Sequence, residues 1–380
     1  LWSQATIAEV YALAAASFSL CLYLALRAGA LPAAEPGGAG WWVALGLALG
    51  VGLGGHLTLL LALPGLAVLV WPARNRRRVL GLVGGLMLGL GVYLYLPLAA
   101  ARGPLLNWGN PRTWDGFWWL VSGRFYHGYA FGLPAQHLPQ RLMAWVALWG
   151  REFAWLGLGV AALGVWSWWG GRLCRLAAAT TLMVALYSVY AITYDTTDSY
   201  VYLLPAWAVT ALWLAADLAA LCDAAPGTQV SRGWLALAVA LSVGLPAWSA
   251  GSRYEAMNLC HDHEAQEWVD AALAALPPDA LLVTGQDGHT FAMEYACWVE
   301  GRCAGRFVVD GDLLGHAWYR EQLARRYSDL TVPPAGASLA DWVNVQTYER
   351  RVFLGNRRPE IVPDDWAIAS GPLWEIVAPR

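Results

Sequence analysis

An α-helical polytopic membrane domain over residues 1–251, followed by a small soluble α/β domain over residues 252–380, is the architecture that three features of the sequence predict. The first is composition: hydrophobic residues make up 58% of the 380 residues and charged ones 13%, against roughly 25% charged in an ordinary soluble domain. The second is the distribution of charge. Residues 1–250 hold 8 acids and 13 arginines, whereas 251–380 hold 19 acids and 11 arginines. The third is pattern: long apolar runs fill the first part, and short strands alternating with amphipathic helices fill the second.

The apolar runs are Gln4–Leu26, Trp41–Gly55, Leu57–Trp71, Val79–Ala99, Leu142–Trp169, Leu173–Tyr194, Tyr200–Leu221 and Trp234–Ala250. Most approach the roughly 20 residues that cross a bilayer, which predicts about eight helices. The second and third meet at Gly54-Gly55-His56, either as two short helices with a tight turn or as one long broken helix. Arg74, Arg76, Arg77 and Arg78 form the densest basic cluster and mark a cytoplasmic loop. Counting helices from there places residues 100–140, the Tyr194–Tyr200 loop and everything after Gly251 on the extracytoplasmic side of the membrane.

After Gly251, Glu264–Leu276 reads as a helix ended by Pro277-Pro278. Ala280–Thr284 and Arg306–Val309 read as strands, with helices near Phe291–Val299 and Gly315–Tyr327. Val352–Leu354, Ala367–Ala369 and Trp374–Val377 read as further strands of a parallel or mixed sheet. Cys297 and Cys303 suit a disulfide on an oxidising side of the membrane; Cys21, Cys174 and Cys222, in or beside apolar runs, read as small core residues. No glycine-rich phosphate motif occurs, so no nucleotide site is expected in this domain. With a net charge of −3, no lysine and no basic stripe, the chain is not expected to bind nucleic acid. Leu1 opens inside an apolar helix pattern without a visible signal peptide, which reads as processing or truncation at the N-terminus.

The stretch RGPLLNWGNPRTWDGFWWLVSGRFYHGYAF, Arg102–Phe131, mixes interfacial aromatics with polar groups. Trp and Tyr belong at the headgroup level, and a plain interfacial anchor needs nothing more. Arg102, Asn107, Trp108, Asp115, Arg124, Tyr126 and His127 packed among them suit a polar headgroup beside a lipid tail. A second constellation, Tyr194-Asp195-Thr196-Thr197-Asp198-Ser199-Tyr200-Val201-Tyr202, sets Asp195 and Asp198 beside Tyr194 and Tyr202. It reads as a sugar, cation or acceptor site, or as a polar hairpin with interfacial tyrosines. Ionisable groups at membrane depth are costly, so Glu9 and His56 are candidates too, against a plain hydrogen-bonded role for each. Arg151-Glu152 reads as a buried ion pair. Cys260-His261-Asp262-His263-Glu264 lacks the second ligand segment of a zinc site, and no metal is assigned.

These residues carry a resemblance. PLAAARGPLLNWGNPRTWDGFWWLVSGRFY, with WSQATIAEVYAL, GLGGHLTLLLALPG, YDTTDSYVYLLPAW and the soluble ALPPDALLVTGQDGHTFAMEYA, resembles a membrane family now placed among the C-type (GT-C) glycosyltransferases. Its animal member is a protein O-mannosyltransferase of the endoplasmic reticulum. The resemblance implies transfer of a sugar, such as mannose or another hexose, from a polyprenyl-phosphate donor to a protein or cell-envelope acceptor at the outer face. It implies Arg102, Arg124 and His56 for the lipid phosphate, and Asn107, Asp115, Asp195 and Asp198 for sugar or acceptor. The lipid-linked sugar stands in place of a cofactor, and divalent-metal dependence stays open. This chain has Asn110 where the family commonly has an acid. The family's first helix and outer loop, with their catalytic acid, are expected to lie before Leu1, which leaves the catalytic residue unassigned. A non-catalytic scaffold subunit of a membrane complex, reusing the same fold, is the alternative.

Overall fold

In the computed structural model, residues 9–30, 32, 38–223 and 229–377 are described. They form two compact units, Leu1–Tyr95 with Gly123–Leu259, and Leu96–Ser122 with Cys260–Arg380. In chain order the helices up to the C-terminal part are α1 (Tyr11–Ala30), α2 (Ala39–Gly55), α3 (Leu63–Val70), α4 (Arg76–Leu90), α5 (Tyr95–Ala101), α6 (Trp114–Val121), α7 (Leu138–Trp169), α8 (Cys174–Thr193), α9 (Leu204–Asp223) and α10 (Gln229–Met257). Then follow α11 (Glu264–Ala275), β1 (Leu281–Thr284), α12 (Asp287–Trp298), β2 (Phe307–Asp310), α13 (Ala317–Arg326), α14 (Leu339–Glu349), β3 (Val352–Leu354), β4 (Ala367–Ser370) and β5 (Leu373–Ile376).

The first unit is helical. Among the described residues five helical segments are long and apolar enough to span a bilayer: Tyr11–Ala30, Arg76–Ala101, Ala135–Trp169, Cys174–Thr193 and Ser199–Ala220. Ala39–Gly55 and Leu57–Ala73 are shorter apolar helices. These helices mark an integral membrane protein. The eighth apolar run lies in α10, which carries Pro246 in its interior.

Packing in this unit rests on small residues. A Cβ on Gly46 of α2 would stand 2.0 Å from the Leu82 carbonyl oxygen, and one on Gly85 of α4 would stand 2.2 Å from that of Val43. The two backbones therefore touch. Lipid tails are as apolar as leucine, so close approach through small residues four apart is what gives such a helix pair its dispersion energy. Gly50 and Gly89 continue the two stripes one turn on.

At Gly54-Gly55-His56 the chain makes two short helices. α2 ends at Gly55, His56 is extended at φ −160°, and a 3-10 turn begins at Leu57. Two expectations need correction here. Arg78, counted with the cytoplasmic arginines, is buried and donates to the carbonyls of Ala73 and Pro32 at 2.9 and 2.8 Å. It closes the α3–α4 corner instead of facing solvent. Arg151 and Glu152 are not a buried pair either: Arg151 is exposed, 4.0 Å from Glu152, while Arg253 holds Glu152 at 3.0 Å. The network sits beside a kink in α7, where Ala154 takes φ 48°.

The second unit is built on a five-stranded mixed sheet in the order β2-β1-β3-β5-β4. β1 lies parallel between β2 and β3, with Leu282 opposite Val308 and Phe353, and β5 pairs antiparallel with β3 and β4. Leu281, Val283 and Val309 face one core, and Leu282, Val308 and Phe353 the other. Burial on both faces explains why the central strands read LLV, FVV and VFL without alternation. The sequence reading missed α14, although Ser338 caps it by accepting from the Asp341 N–H at 3.4 Å, the signal a Ser-x-x-Asp string gives.

Cys297 and Cys303 form a disulfide with Cα atoms 4.7 Å apart. Cys21 is buried, but Cys174 is exposed, so it is not the core residue expected of it. The Cys222 side chain lies outside the described residues. The stretch expected as one loop, 100–140, is divided: Leu96–Ser122 groups with the sheet unit and Gly123 onward with the helical unit.

Candidate functional site

Within the helical unit, separated parts of the chain converge on one aromatic cluster. Tyr11 opens α1, and His56 is the break between α2 and the 3-10 turn. Tyr190 and Tyr194 lie one turn apart at the end of α8, and Tyr202 precedes α9. Ring centroids of Tyr11 and His56 are 5.6 Å apart, Tyr11 and Tyr202 5.9 Å, and Tyr194 and Tyr202 4.8 Å. The Tyr202 hydroxyl is within hydrogen-bonding reach of the hydroxyls of Tyr11 and Tyr194. Glu9 precedes Tyr11 by two residues, and Asp198 stands directly before the 3-10 turn that carries Tyr202. Both acids, like Asp195, are exposed.

His56 is oriented by its own turn. Its Nδ1 accepts from the Thr58 N–H at 3.2 Å and faces Thr58 Oγ1 at 2.8 Å. With Nδ1 accepting from the backbone, the neutral ring carries its proton on Nε2, which leaves one N–H donor for a bound group.

The chain after Gly123 is stitched to the Tyr194–Tyr202 hairpin. The Asp195 N–H donates to the Tyr129 carbonyl at 2.9 Å, and the Leu133 N–H to the Thr193 carbonyl at 3.1 Å. Gly123, in the left-handed region at φ +63°, comes up against Leu57: a Cβ there would lie 3.4 Å from the leucine side chain. Arg124 and Tyr126 follow it, both exposed. Of the sequence candidates, the structure therefore gathers Glu9, His56, Tyr194, Asp198 and Tyr202 at the cluster, and links Asp195 to the Gly123–Phe131 segment that carries Arg124 and Tyr126.

Arg141 holds the hairpin from α7, donating to Ser199 Oγ at 2.6 Å and to the Thr196 carbonyl at 2.9 Å. Below it runs a cavity of about 320 Å³ lined by Arg141, Trp145, Leu148, Arg151, Ser199 and Leu203. Arg141, Trp145, Leu148 and Arg151 recur at three- and four-residue spacing, so they share one face of α7. The cavity is apolar between two guanidinium groups, and the Trp145 indole N–H on its wall is buried without a partner among the described residues. Sequence reasoning missed Arg141, Tyr11 and Tyr190. The signals were an isolated arginine opening an apolar run and a tyrosine four residues before Tyr194.

Arg102, Asn107, Trp108 and Asp115 belong to the sheet unit. Asn107 is buried; its backbone N–H donates to Gln322 Oε1 at 2.8 Å and its side chain to Asn110 Oδ1 at 3.0 Å. Trp108 packs on Trp318 at 5.2 Å. Here Asn107 and Trp108 fasten the segment to α13. Asp115 is exposed in the first turn of α6, which Thr113 caps. Arg102 and Arg124 are exposed, and neither guanidinium has an ion-pair partner among the described residues. No three His, Cys, Asp or Glu side chains converge as metal ligands among the described residues.

Residues 1–79 match the family model described as the protein O-mannosyl-transferase TMEM260 N-terminal domain. That segment holds α1 to α3 and the opening of α4, and with them Glu9, Tyr11 and His56. The match overturns the expectation that the family's N-terminal part is absent, since residues 1–79 themselves carry the likeness. No curated protein and no solved structure matches the chain. Over its first 79 residues, then, the chain is similar to the protein O-mannosyltransferase family, and the helices that carry this likeness supply two of the rings in the cluster.

Proposed function

We propose that the protein is a membrane glycosyltransferase that moves a sugar, mannose or another hexose, from a polyprenyl-phosphate donor to a protein or cell-envelope acceptor at the outer face of the membrane. The observation that carries this reading is the gathering of His56, Tyr11 and Tyr202 with the carboxylates of Glu9 and Asp198. It occurs in the segment similar to an O-mannosyltransferase domain and in the hairpin whose Tyr202 ring packs against Tyr11 and His56. The arginine-flanked cavity beside α7 suits an amphiphile, because its wall is apolar and its ends are cationic.

In the reaction, the acceptor hydroxyl oxygen forms a bond to the anomeric carbon as the bond from that carbon to the lipid-phosphate oxygen breaks. The hydroxyl proton passes to a carboxylate, and the phosphate leaves with the bonding electron pair. In this reading Glu9 or Asp198 takes the proton, a step that a well-placed base accelerates by about 10²–10⁴-fold. Arg124, Arg141 and the Nε2–H of His56 are the donors for charge developing on the phosphate, where preorganised groups act most strongly. The donor and acceptor, with surrounding lipids, are the partners this reading requires.

The test is transfer of radiolabelled hexose from a synthetic polyprenyl-phosphate sugar by purified Asp198→Asn, Glu9→Gln and Arg124→Ala, each matched for folded protein. One of the two acid variants is expected to lose at least about a hundredfold, and Arg124→Ala to lose activity without loss of folded protein. Full activity in all three would remove the site. Absence of transfer in the parent chain, with stoichiometric co-purification of membrane partners, would favour the scaffold-subunit reading.

A further inference from the structure

The sheet unit carries a polar crest that the transfer reaction does not use. The strand order β2-β1-β3 reverses direction at β1, because the first crossover runs to β2 on one side and the chain then returns to β3 on the other. Outside the carboxyl ends of parallel strands at such a reversal the two flanking connections part, and a crevice opens for a ligand. Glycines follow all three strands there: Gly285 after β1, Gly311 after β2 and Gly355 after β3. Their backbones are knit together, with Gly311 N–H on the Thr284 carbonyl and Gly355 N–H on that of Val283, each at 2.9 Å.

Three side chains lean over this crest with polar atoms that are buried and have no partner among the described residues: His289 Nδ1, Asn356 Oδ1 and Arg358 Nη1. A Cβ on Gly285 would stand 2.4 Å from Arg358 Nη1, and one on Gly355 would stand 3.4 Å from His289 Nδ1. The crest thus holds both atoms at the two glycine positions. A buried polar atom left unbonded keeps the full cost of leaving water, so three together at one strand edge call for a ligand or for ordered water.

The charges indicate which ligand. Arg358 already pairs with Asp312 at 2.7 Å and with Glu360 at 2.8 Å, so its positive charge is met and only its third nitrogen is idle. Asp287 adds a carboxylate to the first turn of α12, the helix that follows β1. An anion would meet these carboxylates. His289 is held below the usual histidine range by burial, and so offers a neutral ring nitrogen. One idle donor, one idle acceptor and one nitrogen of either kind match hydroxyl groups, which donate and accept at once. The space above the helix turn is open, since a Cβ on Gly288 would meet nothing within 4 Å. Phe291, exposed one turn on, offers a ring to an apolar C–H face.

We propose that this crest is a second binding site, for a neutral saccharide presenting adjacent hydroxyls to Arg358, Asn356 and His289. The site lies within the sheet unit and stands whether or not the helical unit transfers sugar.

The test uses the full chain in a zwitterionic detergent with no sugar headgroup. Methyl mannoside, methyl glucoside and inorganic phosphate are titrated separately by saturation-transfer NMR and tryptophan fluorescence. At least one methyl hexoside is expected to bind saturably. Asn356→Ala and His289→Ala should each weaken it roughly fivefold, as loss of one hydrogen bond does, while Tyr202→Phe in the helical cluster leaves it unchanged. If Arg358→Gln fails to fold, Asn356→Ala still decides, because the Asn356 side chain only bonds a neighbouring carbonyl. No saturable hexoside binding, binding that both crest variants leave intact, binding that Tyr202→Phe alone abolishes, or saturation by phosphate alone would overturn the proposal.

Discussion

Tyr194 and Tyr202 meet edge to face with ring centroids 4.8 Å apart, and their hydroxyls are within hydrogen-bonding reach of each other. Tyr190 adds a third ring 5.1 Å from Tyr202. Edge-to-face pairs in this range contribute about 0.5–1.5 kcal/mol beyond the area they bury. The polar hairpin of Asp195 and Asp198 is therefore held from behind by an aromatic wall. Tyr202→Phe keeps the ring and deletes the hydroxyl that reaches Tyr11. Folded yield is expected to stay near that of the parent while transfer falls about tenfold, the equivalent of roughly one hydrogen bond. Size-exclusion profiles alongside the transfer assay separate the two effects.

Arg141 forks between Ser199 Oγ and the Thr196 carbonyl. Lysine cannot reproduce a planar two-point contact. Arg141→Lys and Arg141→Ala are both expected to lower the thermal stability of the helical unit, by about 1–3 kcal/mol for the alanine variant. Limited proteolysis should cut the Thr196–Ser199 turn faster in both. Unchanged cleavage there would show that the hairpin is held by its aromatics alone.

The α2–α4 contact gives a steric prediction. Gly85→Leu drives a side chain into the Val43 carbonyl, whereas Gly84 has nothing within 4 Å of its Cβ position. Overpacking of this kind costs at least about 1–3 kcal/mol. Gly85→Leu should sharply reduce folded protein recovered from membranes, and Gly84→Leu should not.

Glu294 of α12 sits 3.8 Å from Arg326, and its carboxyl is raised above the usual range chiefly by burial, against the pull of Arg326. A carboxyl raised in the folded state binds more protons there than in the unfolded chain. Its contribution is thus most favourable below the ordinary value of 4.5 and is lost as pH rises through the folded value. Glu294→Gln removes that loss. The stability of the parent relative to the variant should fall from about pH 4 upward and then level off, as melts of both proteins would read. His289 and His316, both held down by burial, act in the opposite sense below 6.5, but they are common to the two proteins and cancel in the difference. A difference independent of pH would show that Glu294 keeps its ordinary acidity.

The sequence by itself determined the elements whose cause is local. Apolar runs gave the spanning helices, and the uninterrupted LLV, FVV and VFL segments gave the central strands, because each reports burial along its own length. It also marked Tyr194, Asp198, His56 and Glu9 as costly or concentrated polar groups. Only the tertiary structure decided which of them meet. Tyr11 and Tyr190 join the cluster through helix packing that no local spacing encodes, and Arg141 reaches the hairpin from a helix far away in the chain. Asn107 and Trp108, read as headgroup contacts, find Gln322 and Trp318 as their protein partners, which no local spacing encodes. Arg78, read as a surface charge, is buried in a corner because two main-chain carbonyls there needed donors. A side chain's type is written in the sequence, but its partner is chosen by the fold that brings the two within reach.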